Sequence, residues 1–167
     1  RSSDLDKYMD AFGGQGEMDR TYYETPQYKR VSEVGVPDSA VDYLQRRYAA
    51  LITMSDQWFG KLIDKLKKMN MYEDTMIILT TDHGYFLGER DYLGKNYMHL
   101  YNELAHLPFI VKYPHGERAG ERIQQLTQNI DIMPTVLDYM GIDIPDSVQG
   151  VSLKPLAVNP HAVTKGY

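Results

Sequence analysis

An aspartate and a histidine stand side by side at positions 82 and 83, and a lysine follows at position 95. A carboxylate and an imidazole together offer a hard oxygen and a borderline nitrogen to one divalent cation. The lysine adds a compact positive charge, suited to an oxyanion held beside such a metal. The run between them, Gly84-Tyr-Phe-Leu-Gly-Glu-Arg-Asp-Tyr-Leu-Gly94, carries glycine at its start, its middle and its end. Gly84 frees the backbone to turn sharply, and Gly88 and Gly94 bracket a loop able to return Lys95 to the Asp82-His83 pair. An Asp-His pair alone could as well cap a helix or close a turn. The glycine-punctuated loop and its lysine turn the reading toward a site.

Such a pair needs a rigid element behind it. Thr75-Met-Ile-Ile-Leu-Thr-Thr81 is apolar and rich in β-branched residues. That is the pattern of a strand buried on both faces, as in a parallel sheet. In open α/β sheets, ligands lie beyond the carboxyl ends of the strands, where Asp82 and His83 fall. Before the strand, Val41, Leu44, Tyr48, Leu51, Ser55, Phe59, Leu62, Leu66 and Met69 recur at three- and four-residue steps. This spacing predicts a helix over about 40–69, roughly 45 Å long. Ser39 sits in the N-cap position with Asp42 three residues on. Gly60 marks an expected close approach to a neighbour, and Trp58 with the nearby tyrosines is expected to pack. Lys61, Lys65, Lys67 and Lys68 form a solvated end that suits the helix dipole. A second strand is expected over Leu107–Tyr113. A second helix is expected over Asn129–Tyr139, with Asp131 capping it, Pro134 in its first turns and Gly141 closing it. Helix followed by buried strand is an α/β rhythm, so the expected fold is part of an α/β/α sandwich with a mostly parallel sheet.

Composition narrows the function classes. The 167 residues are 43% apolar and 25% charged, with a net charge of -5, which argues against a nucleic-acid partner. Zero cysteines exclude disulfides and thiolate metal sites. No apolar run approaches the roughly 18 residues of a membrane span. The chain opens on Arg1, which suggests a processed or truncated protein and leaves the compartment open between periplasmic or secreted and cytoplasmic. Residues 1–38 read as an irregular surface segment with one helical turn around Leu5 to Phe12, and 157–167 as a tail.

Asp82-His-Gly-x-x-x-Gly-Glu89 followed by Gly94-Lys95 resembles the metal-site segment of sulfatases in the alkaline phosphatase superfamily. The likeness continues on both sides. Tyr48-Ala-Ala-Leu-Ile-Thr-Met-Ser-Asp56 through Gly60-Lys-Leu-Ile-Asp-Lys-Leu66, and then Asp74-Thr-Met-Ile-Ile, are similar to the helix and strand that precede the site. Tyr101-Asn-Glu-Leu-Ala-His-Leu-Pro108 with Phe-Ile-Val is similar to the family's next strand. Ile130-Asp-Ile-Met-Pro-Thr-Val-Leu-Asp138, Gly141 and Gly150-Val-Ser-Leu153 are similar to its C-terminal signature. On this resemblance, residues 39–156 are the C-terminal portion of a catalytic domain that hydrolyses sulfate esters of a small molecule or glycan. It implies Asp82 and His83 as ligands of calcium, with manganese or zinc as alternatives, and Lys95 as the residue that binds sulfate and steadies charge on the departing oxygen. It also implies a formylglycine nucleophile, made from Cys or Ser in a Cys/Ser-x-Pro-x-Arg motif. This chain contains no such motif, nor the paired aspartates that complete the metal site. Both are expected in a missing N-terminal half, which would be this chain's partner, so the chain alone should not turn over substrate. A phosphonate monoester or phosphodiester hydrolase of the same superfamily is the alternative, and a non-catalytic remnant domain is the rival of another class. Arg90 stands where many relatives place a histidine, a departure that bears on substrate contacts. His99 is a candidate substrate contact near the pocket mouth. His106 reads as structural, and His115 and His161 as surface residues.

Overall fold

A computed structural model of the protein describes residues 29–34, 37–95, 100–162 and 164. Their elements are β1 (Lys29–Arg30), α1 (Val31–Val34), α2 (Asp38–Lys68), β2 (Ile77–Thr80), β3 (Phe86–Leu87), β4 (Tyr92–Gly94), α3 (Asn102–Ala105), β5 (Phe109–Lys112), α4 (Ile132–Tyr139) and α5 (Lys154–Val158). β2 pairs with β5, and β1, β4 and β3 form a small separate sheet in that order. The chain divides into two units, one holding residues up to Tyr72 with Ile78–Ile110, the other Glu73–Ile77 with Val111–Tyr167.

In the first unit the helical period before the site is realised as the single helix α2. Its start differs from expectation. Pro37, extended at φ -67 and ψ 149, occupies the N-cap, and its carbonyl accepts the first helix bonds from Ala40 and Val41. Ser39 lies inside the first turn. At the other end Asn70 takes a left-handed φ of 54, and Met71 N–H returns to the Leu66 carbonyl at 2.9 Å. With Asn70 N–H on the Lys67 carbonyl at 3.0 Å, this is a full Schellman closure.

The buried face of α2 is also displaced from the expected one. Ala40 and Ala50 are buried, whereas Leu51, Leu62 and Met69 are exposed. The segment around β3 comes close to the helix at Val41 and Gln45. A Cβ on Gly88 would stand 2.6 Å from Val41 Cγ1, and Gln45 Nε2 donates to the Leu87 carbonyl at 2.9 Å. Gly60 is not a close-approach point, since nothing lies within 4 Å of a Cβ built there. Trp58 is not a packing residue either: it is exposed, with Lys61 Nζ 3.9 Å above its ring.

The site's support is the β3–β4 hairpin. Its antiparallel register sets Phe86 opposite Gly94 and Leu87 opposite Leu93, while Arg30 of β1 pairs with Tyr92 on the far side of β4. β1 and α1 thus add short regular structure to a stretch read as irregular. Phe86 is fully buried and meets Tyr92 and Tyr101 edge-on, at 5.6 and 6.2 Å between centroids. β2 is shorter than the apolar run that predicts it, and it is only partly buried, with Leu79 exposed.

The second unit is organised by polar groups as much as by apolar ones. The expected second helix begins with a 3₁₀ turn, Asn129–Asp131, before α4. Asp131 is fully buried and does not cap in the ordinary N-cap way. Its Oδ2 accepts from Gln128 N–H at 2.7 Å and its Oδ1 from Val151 N–H at 3.0 Å. Thr135 continues the lock, donating its hydroxyl to the Asp131 carbonyl and accepting from Leu153 N–H. Gly150 is required here, because a Cβ would stand 2.0 Å from the Ile130 carbonyl oxygen. Asp138 accepts from the Ser152 hydroxyl and pairs with Lys154, which ties α5 to α4. Gly141, at φ 68, and Ile142 close α4 with a second Schellman motif. Tyr113 stacks on Tyr139 at 5.3 Å. Burial pushes both phenols up, assisted by their mutual proximity for Tyr113 and by Glu117 for Tyr139.

Candidate metal and anion site

Asp82 and His83 follow two residues after β2 ends, on irregular backbone that their own hydrogen bonds hold. The His83 N–H donates to Asp82 Oδ1 at 3.0 Å, and the Thr81 hydroxyl donates to the same oxygen at 3.3 Å. Desolvation, the largest single influence, pushes the Asp82 carboxyl up. The adjacent His83, when its ring is charged, and these donors together outweigh it and hold the group below the ordinary carboxylate value. Asp82 is well exposed and therefore accessible as an anionic ligand.

The tautomer of His83 follows from its partners. Nδ1 lies 2.8 Å from the Gly84 carbonyl oxygen, which can only accept, so Nδ1 carries the proton. Nε2 then bears a lone pair, and it faces Lys95 Nζ at 2.6 Å and Asp82 Oδ2 at 3.3 Å. An ammonium at 2.6 Å is compatible with a neutral ring and not with a protonated one. A backbone carbonyl that fixes the protonated nitrogen and turns the other outward is the arrangement found behind many histidine ligands.

The hairpin accounts for the lysine's arrival. Phe86 is three residues past His83, and it faces Gly94, the residue before Lys95. Closing β3 on β4 therefore returns Lys95 to the Asp-His turn across twelve residues of chain. Gly88 at φ 105 and Gly94 at φ 104 supply the left-handed backbone this path needs. Gly84 serves differently. Its N–H donates to the Leu104 carbonyl at 3.0 Å, and a Cβ on it would stand 1.8 Å from the Glu103 carbonyl oxygen. The backbone of α3 thus lies directly against the turn.

The structure brings Asp82, His83 and Lys95 together. His99 lies outside the described residues. Among the described residues, no third carboxylate, imidazole or thiolate joins Asp82 and His83 as a potential ligand. His106 ends α3 as its C-cap, His115 is exposed and pairs with Asp74 at 3.4 Å, and His161 is exposed. One neighbour of the site was not legible beforehand. Glu103 pairs with Arg90, Nε to Oε1 at 3.1 Å, and Arg90 lies over the Tyr101 ring at 4.4 Å. No periodicity or motif spacing singles out Glu103. Its part depends on where α3 runs.

The arrangement offers an oxygen and a nitrogen donor at one point, with a lysine beside them. The sulfatase family model matches residues 6–142 of the chain. N-acetylglucosamine-6-O-sulfatase of Bacteroides thetaiotaomicron is 37% identical over 114 residues, which are 68% of this chain and 20% of that protein. Arylsulfatase K of Rattus norvegicus is 33% identical over 125 residues, 75% of this chain and 22% of that protein. Among solved structures, a phosphonate monoester hydrolase from Silicibacter pomeroyi superposes with a TM-score of 0.70 at 32% identity, covering 93% of this chain and 29% of that one. The chain belongs to the sulfatase family, and its fold is the α/β fold of the alkaline phosphatase superfamily. It spans about a fifth of the length of the curated relatives it matches.

Proposed function

We propose that this chain is the C-terminal portion of an enzyme that hydrolyses sulfate esters of a small molecule or glycan, with Asp82, His83 and Lys95 forming part of its site. The observation that carries the reading is the meeting of the His83 Nε2 lone pair, the Asp82 carboxylate and the Lys95 ammonium at one point. The Asp82 carboxylate suits calcium or manganese and the His83 imidazole suits zinc, the three cations in question, with calcium first on the family resemblance. Asp82 and His83 would hold the ion, which when bound supplies Lewis-acid stabilisation of charge on the ester oxygens. Asp82, whose carboxyl is held below the ordinary carboxylate value, is ionised at neutral pH. Lys95 binds the sulfate and stabilises charge on the departing oxygen. The formylglycine nucleophile and the remaining ligands belong to sequence beyond this chain, a reading supported by the fraction of its relatives that it spans.

A phosphonate monoester hydrolase is the second reading, favoured by the likeness that covers 93% of the chain. The test is to assay the whole enzyme on an aryl sulfate and on an aryl phosphonate monoester, before and after chelation and after calcium is restored. A preference for sulfate that chelation abolishes and calcium restores is the expected result. A preference for phosphonate transfers the function to the second reading, and indifference to chelation removes the metal assignment. Lys95→Ala should lower turnover about 100- to 1000-fold without unfolding the protein. An unchanged rate would take Lys95 out of the site.

A further inference from the structure

We infer that Arg90 is a specificity-determining residue whose guanidinium binds a second oxyanion substituent of the substrate, separate from the ester that is cleaved. The inference rests on the reading of Asp82, His83 and Lys95 as an ester-hydrolysing site. It begins with the backbone. Arg90 and Asp91 are both left-handed, at φ 55 and φ 67, a conformation that non-glycine residues rarely hold in succession. Asp91 is pinned by Ser32, whose N–H and hydroxyl donate to its two carboxylate oxygens at 2.9 and 2.5 Å. Glu89 Oε2 takes the Leu87 N–H at 2.6 Å. Both shoulders of the turn are thereby fixed, and the strained residue between them is the one that carries the guanidinium. Backbone held in a sparsely populated region by its surroundings is most often found where a side chain must be aimed.

The side chain is aimed as well. Tyr101 lies beneath the guanidinium and Glu103 takes only its Nε, by one oxygen. Among the described residues the two terminal amino groups have no partner, and the side chain is half exposed. Two coplanar donor groups on a fixed plane match the oxygens of a sulfate or carboxylate, which a lysine cannot reproduce. Arg90 shares its support with the metal-ligand turn, because Glu103, which orients it, is the residue whose backbone lies against Gly84. Yet among the described residues its ion pair and ring contact are with Glu103 and Tyr101, not with His83 or Lys95. It is therefore placed for a different group on the same substrate.

The test compares kcat/KM of the enzyme, Arg90→Lys and Arg90→Met on three substrates: a sugar with one sulfate ester, the same sugar with a second sulfate, and the same sugar with a carboxylate. In Arg90→Met the preference for the doubly charged substrates should fall ten- to a hundredfold, mostly through KM. Arg90→Lys keeps the charge and the Glu103 pair but loses the fork, and should fall part of the way. The arm with the larger fall identifies whether sulfate or carboxylate is the natural group. Equal losses on all three substrates would mean a structural clamp and overturn the inference. Calorimetry of the sugar that carries only the second anionic group provides a readout without turnover. Equal affinity for the enzyme and Arg90→Met also overturns it. If no sulfate ester is cleaved, the sulfate reading fails while this binding comparison still decides Arg90.

Discussion

Gly84→Ala tests whether the Asp82-His83 turn is built on the backbone of α3. The added Cβ would stand 1.8 Å from the Glu103 carbonyl oxygen and 2.8 Å from its carbon, both backbone atoms that cannot rotate away. Gly84 is not in the left-handed region, so the cost is contact and not torsion. Overpacking a tight site typically costs about 1–3 kcal/mol. Loss of the Gly84 N–H bond to Leu104 adds about 1 kcal/mol. The sum, about 2–4 kcal/mol, corresponds to a Tm lower by roughly 5–15 °C in a protein of this size. The functional effect should exceed the stability effect. Ordinary contact begins at 3.4 Å, so turn and helix must part by about 1.5 Å. A misplacement of about 1 Å in a catalytic site can cost about 100-fold in rate. Thermal unfolding of this chain followed by circular dichroism, beside kcat/KM of the whole enzyme with the same substitution measured well below its Tm, gives both numbers. A Tm within a degree of the wild type and an unchanged rate would mean that α3 does not lie against the turn, and the account of the site's support would fail.

Other substitutions separate packing from propensity. Gly60→Ala, in the open interior of α2, should stabilise by about 0.5–1 kcal/mol in urea titration, and a loss of stability would reveal a neighbour at that position. Asp131→Asn should cost about 2–3 kcal/mol, since one of the Gln128 and Val151 N–H groups would then face an amide donor; a neutral result would show that these groups find other acceptors. Asp138 is held below the ordinary carboxylate value of 3.8 by the Ser152 hydroxyl and by Lys154. A depressed pKa contributes stability above 3.8 that is lost as pH falls through the lower folded value. Stability should therefore drop below about pH 4 less steeply in Ser152→Ala than in the wild type, and identical acid limbs would refute the link.

How much of this was legible depends on what kind of signal each residue carries. The period of α2 was readable from nine apolar and small residues, but its phase was not. Hydrophobicity gives weight to Leu51 and Leu62, yet Ala50, which carries little, is the fully buried position. The apolar run before the site announced a strand, but no run of residues records which neighbours lie on its two faces, and Leu79 is exposed. Asp82, His83 and Lys95 could be picked out by type and spacing because the glycines between them restrict the path of the loop. Glu103 could not, since its place beside the turn comes from the path of α3, whose Leu104 carbonyl takes the Gly84 N–H. The same applies to Asp131. It was recognised as a cap, but its reach to Val151, twenty residues away, depends on tertiary structure.

The donor set also sets an upper limit on what the chain can bind unaided. Calcium takes six to eight oxygen ligands in most protein sites, and affinity rises with the number of charged ligands and the rigidity of their frame. Asp82 supplies one carboxylate and His83 one nitrogen, a donor calcium does not favour, and no further candidate joins them among the described residues. Lys95 Nζ, 2.6 Å from His83 Nε2, opposes a second cation at the same lone pair. Calcium binding to this chain alone should accordingly be weak, with a Kd of about a millimolar, the range of the loosest calcium modules. Lys95→Met removes the competing charge and should tighten binding several-fold, an effect opposite in sign to its expected effect on turnover. Titration calorimetry of both chains measures the pair of constants. Micromolar, stoichiometric binding to the unmodified chain would show that it holds a complete ion site by itself, and the proposal that the remaining ligands lie in other sequence would have to be abandoned.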